Sequence, residues 1–321
     1  MKNPLKALLA CAVFGTIPAA QTQADTLVHS LDQVRGAIKT RDARTSFDQQ
    51  MGNAPEPDGF GTQLPNGFSK DWLAAQLAPH DDPRLVTMAG AKPWPQHPDM
   101  YVAAICRAAS LDVAERIKKS APRYCESRDA ADQDFLLGVF TRTPDGTLRL
   151  IASTPTSELP PTSWRATNID APQVLDPMNG TPPSEGYPES WLRFDFAPYL
   201  LRENDYAFGV RAGWFEGYAG GGASFEGLYL LHIEGSALRV VFAQPMMFNK
   251  MIAGDWHKDG TRDHEVTDAS NTLHILPSKT SGFHDLQLRE QGGKWRQTFQ
   301  WSAAEQTYVP KASARKDALN Q

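Results

Sequence analysis

From residue 101 to residue 302 the chain is written in short apolar or alternating runs, each cut by turn chemistry. A period of two, broken every ten residues or so, suits half-buried strands and leaves little room for a helical core. Candidate strands fall at 101–107, 135–142, 147–152, 191–196, 206–211, 224–233 and 237–242, then at 272–276, 283–289 and 294–302. Thr143-Pro144-Asp145-Gly146 joins the second and third. Proline presets φ there and glycine tolerates a positive one. Gln291-Gly292-Gly293 turns the last pair. One short helix near 111–119 interrupts the series. The pattern predicts a mainly β protein of antiparallel sheets, either a sandwich or a propeller-like array.

The region before it reads differently. Residues 25–98 have little periodicity and carry Pro, Gly and Asn clusters at 53–61 and 92–99, which read as loops. An amphipathic helix fits 26–39, and a shorter one fits 70–77 with Ser69 as its N-cap. Residues 154–190 hold eight prolines and read as a long loop. The expected organisation is a signal peptide over 1–24, an irregular and partly helical region over 25–98, a β-rich domain over 99–310 and a disordered tail over 311–321.

The leader sets the compartment. Lys2 and Lys6 precede an apolar run over 7–17, too short to span a bilayer, and Thr22-Gln23-Ala24 offers small residues for cleavage. Leu8-Leu9-Ala10-Cys11 also resembles a lipobox, which would make Cys11 a lipid anchor, but most of the apolar run would then lie after the cleavage point. The expectation is a periplasmic or secreted protein. No segment has eighteen consecutive apolar residues, so no transmembrane span is expected. Cleavage after Ala24 removes two lysines and no acid, taking the net charge from −5 to −7. With no basic block, nucleic acid is not an expected partner. Cys106 and Cys125 remain, and in an oxidising compartment such a pair reads as a disulfide.

Gly254 to Glu265, GDWHKDGTRDHE, concentrates charge. Asp255, His257, Asp259, Gly260 and Asp263 stand at positions 1, 3, 5, 6 and 9 of a loop. Calcium loops use this spacing because alternate residues of a tight turn aim oxygens at one centre. His257 offers nitrogen in place of oxygen, and the bidentate glutamate of an EF-hand is absent from position 12. Ser281-Gly282-Phe283-His284-Asp285 repeats the glycine and the last aspartate without the other ligands. Such an echo also suits a turn whose Asp caps backbone N–H groups. Across 250–301 the pattern Asp-x-x-x-Asp-Gly-x-x-Asp, echoed as Gly-Phe-x-Asp-Leu, resembles the FG-GAP repeats of integrin-type β-propellers. It is similar to degenerate copies of them in uncharacterised exported bacterial proteins. The resemblance implies calcium held by Asp255, Asp259 and Asp263, with an empty second cage at Asp285.

Two further constellations bear on function. His257, His264 and Glu265, with His274 and His284, supply zinc ligands and general bases by composition, and would serve a metal-dependent hydrolase if they converged. The glycine-rich stretch 213–224 carries Trp214, Phe215 and Tyr218. It reads as a flexible hairpin connection that presents a binding loop. No Gly-x-Ser-x-Gly motif marks a serine nucleophile. Trp94, Trp164, Trp191, Trp295 and Trp301 read as packing residues, and Arg193 with Asp195 as a surface pair. The functional expectation is a non-catalytic binding or scaffold protein with a protein or glycan partner. A calcium-dependent adhesion-like module is the first alternative, and the hydrolase the second.

Overall fold

The computed structural model describes residues 25–54, 57–119, 124–126, 132–154, 159–173 and 185–312. Residues 1–24, covering the expected signal peptide and the alternative Cys11 anchor, parts of the proline-rich segment and residues 313–321 lie outside the described residues. In chain order the elements are β1 (Thr26–Val28), α1 (Leu31–Ala37), α2 (Arg41–Gln50), α3 (Lys70–Leu77), β2 (Val86–Pro93), β3 (Met100–Ala108) and α4 (Leu111–Lys118). Next come β4 (Cys125–Glu126), β5 (Gln133–Arg142), β6 (Leu148–Ser153), β7 (Thr162–Ser163), β8 (Glu185–Gly186), β9 (Ser190–Arg202) and β10 (Asp205–Tyr218). The chain closes with β11 (Gly221–Glu234), β12 (Ala237–Trp256), β13 (Arg262–Thr280), β14 (Phe283–Glu290), β15 (Arg296–Ser302) and β16 (Thr307–Pro310).

The protein is mainly β and its sheet is dominated by antiparallel pairing. The meander β9 to β16 forms one path, and β2-β3-β5-β6 forms a second that touches the first through a single parallel bridge, Ala237 to Ser153. Strand alternation stacks these paths. On β3, Val102, Ala104 and Cys106 join one core with Phe208, Val210, Ala212 and Trp214 of β10, while Ala103 and Ile105 face α3. The other face of the β9–β12 meander, with Tyr199, Leu201, Leu228, Leu230 and Phe242, is covered by Leu286, Leu288, Phe299 and Trp301 of the C-terminal strands. The result is three β layers with α3 on the outside.

One strand makes the C-terminal fold-back. β13 pairs with β12 through Ser270 and with β14 from Asn271 onward, so a single strand passes from the middle layer to the outer one. The open edge of β9 is bridged by the segment around Gly59, whose carbonyl accepts from Phe194 N at 3.2 Å. Two residues on, Gly61 O accepts from Ala91 N of β2 at 3.1 Å. Gly59 approaches so closely that a Cβ there would lie 2.3 Å from the Leu192 carbonyl oxygen.

Several local expectations match. Ser69 Oγ accepts from Trp72 N at 3.1 Å and caps α3, and the Thr143–Gly146 tetrad turns β5 into β6 with Gly146 at φ +85°. Cys106 and Cys125 form a disulfide, with Cα atoms 5.7 Å apart. Others differ. The segment 26–39 begins as strand β1, added to the edge of β13, and only then becomes helix. α2, β2 and β16 lie where no element was expected. Trp94, Trp164, Trp191 and Trp301 are buried as core residues. No helix among the described residues is long and apolar enough to cross a membrane.

Candidate functional site

The charged stretch 254–265 is mostly strand. β12 runs to Trp256, β13 resumes at Arg262, and only residues 257–261 turn. His257 N donates to Thr261 O at 2.8 Å, Gly260 N donates to His257 O at 3.2 Å, and Gly260 takes φ +83°. Asp259 caps this turn, its Oδ1 accepting from Thr261 N at 3.0 Å and from Thr261 Oγ1 at 2.7 Å. The echo at Ser281-Gly282 is a different turn, with both residues at positive φ between Thr280 and Phe283, as a two-residue hairpin requires. Asp285 is buried there and accepts from the hydroxyls of Ser278 and Thr280, each at 2.7 Å.

Asp263 gathers two histidines, one of them distant in the chain. His257 Nε2 lies 2.7 Å from its Oδ1, and His29 Nδ1 lies 2.8 Å from the same atom. Among the described residues, His29, His257 and Asp263 form the one group of three potential ligands whose atoms all lie within 4.8 Å of one another. Asp255 and Asp259 stand outside it. The hydrogen bond to Asp263 raises the His257 imidazole above its usual range, and the His257 and His29 bonds hold the Asp263 carboxyl below its own. His264 follows Asp263 on a strand, so its side chain points to the other face, where it is buried beside Leu31 and Met51. Glu265 pairs with Asp25, His274 with Thr272 and His284 with the Leu276 carbonyl. The histidine and acid residues prominent in the sequence therefore do not share one centre.

A second site lies between α2 and the floor of β9, β10 and β11, a cleft of about 560 Å³. α2 is held by its buried face, where Ala43 and Phe47 pack with Met247 and Val266. Its opposite face, with Arg41, Asp42, Thr45, Ser46 and Gln49, lines the cleft. The helix start is fixed by Asp268 of β13, which accepts from Lys39 N at 2.8 Å and from Thr40 N and Oγ1 at 2.7 Å. At the other end Gln50 donates to Ser224 Oγ on β11.

The floor carries charge. Arg193 grips Glu226 with two parallel hydrogen bonds, Nη1 to Oε1 at 2.8 Å and Nη2 to Oε2 at 2.6 Å. Arg211 holds Asp195, with Nε 2.8 Å from Oδ2. Arg193 and Asp195 are thus not a surface pair, since each reaches across the sheet to another partner. Burial pushes both carboxyls up, but the guanidinium groups more than offset it and leave each below its usual range. Burial likewise opposes the charge on Arg211, and Asp195, Tyr199 and Glu226 hold it above its ordinary value.

The three aromatics of the expected binding loop part company. The glycine-rich stretch is not a connection. β10 and β11 pair through it from Gly213–Glu226 to Tyr218–Gly221, leaving Ala219 and Gly220 as the turn. Trp214 is buried, with its Nε1 donating to Tyr187 O at 2.8 Å. Tyr218 donates its hydroxyl to Glu216. Phe215 alone of the three is exposed, at 48%, on the wall of the cleft.

Fold and sites together define a layered, mainly antiparallel β protein with a cleft of mixed polar and apolar lining beside a short amphipathic helix. The chain matches no protein-family model, and no curated protein or solved structure is significantly similar to it.

Proposed function

We propose that this is an exported, non-catalytic binding protein whose cleft between α2 and the β9–β11 floor takes a hydroxyl-rich ligand, a segment of glycan. The observation that carries the reading is the placement of Phe215, an exposed ring on the wall of a cleft whose lining mixes carboxylate, guanidinium, amide and hydroxyl groups with apolar side chains such as Leu192 and Phe225. A sugar presents an apolar C–H face and a fringe of hydroxyls. An aromatic ring packs against the first, and charged or amide side chains bond the second in two-pronged fashion. Pockets of this size commonly combine apolar surface with a few fixed polar groups. Export is supported by the leader-like residues 1–24 and by the disulfide, which persists in oxidising compartments.

The test is calorimetric titration of the protein with malto-, chito- and xylo-oligosaccharides, alongside Phe215→Ala and Gln49→Ala. The expected result is saturable binding of one class, weakened at least tenfold by either substitution. Absence of heat across all three classes, or binding indifferent to both substitutions, rejects the cleft as a glycan site.

A further inference from the structure

The cluster at Asp263 joins three stretches of chain that meet only in the folded protein. β1 adds to the edge of β13 with Thr26 opposite Val266, Leu27 opposite Glu265 and Val28 opposite His264. Antiparallel register then carries the next residue, His29, to Asp263. His257 opens the turn between β12 and β13, where Trp256 is paired with Arg262, and its ring reaches the same carboxylate. The two rings lie edge-on, with centroids 5.7 Å apart and planes at 72°. Each presents one nitrogen to a single oxygen.

We propose that His29 Nδ1, His257 Nε2 and Asp263 Oδ1 form a binding site for a divalent ion of the zinc class, which clamps the strand at Thr26–Val28 onto the β12–β13 hairpin. Three ligand atoms within 4.8 Å of one another can close on an ion at 2.0–2.2 Å by small side-chain rotations. Two imidazoles and one carboxylate make a set that zinc and its neighbours accept, and that calcium, which takes six to eight oxygens, does not. His29 is 70% exposed and His257 37% exposed on their side chains, so water can reach the ion and supply the fourth ligand. Neither imidazole is needed for the core. Asp263 lies 234 residues from His29, so the ion would join two stretches far apart in the chain at the sheet edge. This inference is independent of the glycan reading, because none of the three ligands lines the α2 cleft.

The test uses the purified full chain, stripped with EDTA and titrated with zinc, cobalt and calcium chlorides, in wild type and in His29→Ala and His257→Ala. The proposal expects one equivalent of zinc bound at micromolar concentration or tighter. Cobalt should give the intense visible absorption of a four-coordinate site, and calcium no competing binding. Each alanine variant should lose at least tenfold in zinc affinity while keeping the wild-type circular dichroism spectrum. Amide exchange at residues 26–28 should slow when zinc is added to wild type and not when it is added to the variants. Zinc affinity weaker than about 100 μM, or equal affinity in wild type and both variants, overturns it.

Discussion

Asp268 of β13 takes the backbone N–H and the hydroxyl of Thr40, 228 residues earlier in the chain, at 2.7 Å each. Thr40 is the N-cap of α2, and its own side chain makes no cap bond within the helix. The carboxylate from the sheet does that work from outside and accepts Lys39 N as well, at 2.8 Å. Asp268→Ala leaves three donors without an acceptor at a buried position. It is expected to cost about 3 kcal/mol, with amide exchange accelerating first across Arg41–Gln50. Urea unfolding and residue-resolved exchange check this. A loss spread evenly over the sheet, sparing α2, would contradict it.

The paired charges beneath the cleft predict a particular acid response. Asp195 and Glu226 have folded pKa values below their unfolded ones, so their ionised forms favour the native state. That contribution is complete above the unfolded carboxylate values, near pH 4, and is lost as pH falls through the folded values. Glu226→Gln should therefore be less stable than wild type at pH 7, and the gap should shrink as the pH approaches 2. Denaturation at stepped pH measures it. A gap of constant size from pH 7 to pH 2 would show that packing, and not the ion pair with Arg193, sets the cost.

The disulfide links layers as well as sequence. Cys106 lies on β3, and Cys125 lies on β4, which pairs with β9 at Trp191. With the cysteines 19 positions apart in sequence, constraint of the unfolded chain is worth about 3 kcal/mol. The double variant Cys106→Ala with Cys125→Ala should lose that much in urea unfolding, and reduction of the wild type should lose a similar amount. A difference below about 1 kcal/mol would mean that the β3 and β4 layers hold each other without the covalent link.

How much of this was legible depended on where each signal lived. Residues 133–153 gave up both strands and their turn, because alternation and the Thr-Pro-Asp-Gly tetrad are local. The helix at Lys70–Leu77 was equally plain from Ser69 and the run behind it. α2 escaped because only Ala43 and Phe47 of RDARTSFDQQ are buried, and the carboxylate that caps it belongs to β13. β12 and β13 extend well beyond the alternating runs at 237–242 and 272–276, because polar residues such as Asn249, Asp268 and Asn271 sit in buried strand positions, where alternation fails. The cleft needs α2 to reach β11, where Gln50 meets Ser224 across 174 residues, and the cluster needs His29 to reach Asp263 across 234. Spacing within 254–265 pointed to three aspartates, but only the pairing of β1 with β13 brings His29 to Asp263.

Trp214 and Phe215 are neighbours on β10 with opposite fates, and they separate fold from function in one experiment. Trp214 is 3% exposed, packs edge-on to Trp164 at 4.9 Å and donates to Tyr187 O. Trp214→Ala should cost about 3–5 kcal/mol, as large core truncations do. Phe215 is half exposed and offers its ring to the cleft, so Phe215→Ala should change stability by no more than about 0.5 kcal/mol. The same substitution should nonetheless abolish most oligosaccharide binding. Thermal unfolding and calorimetric titration of the two variants side by side distinguish the roles. If Phe215→Ala unfolds as readily as Trp214→Ala, the ring belongs to the core and not to a ligand. If it is stable and binds as wild type does, the cleft recognises something other than a sugar face.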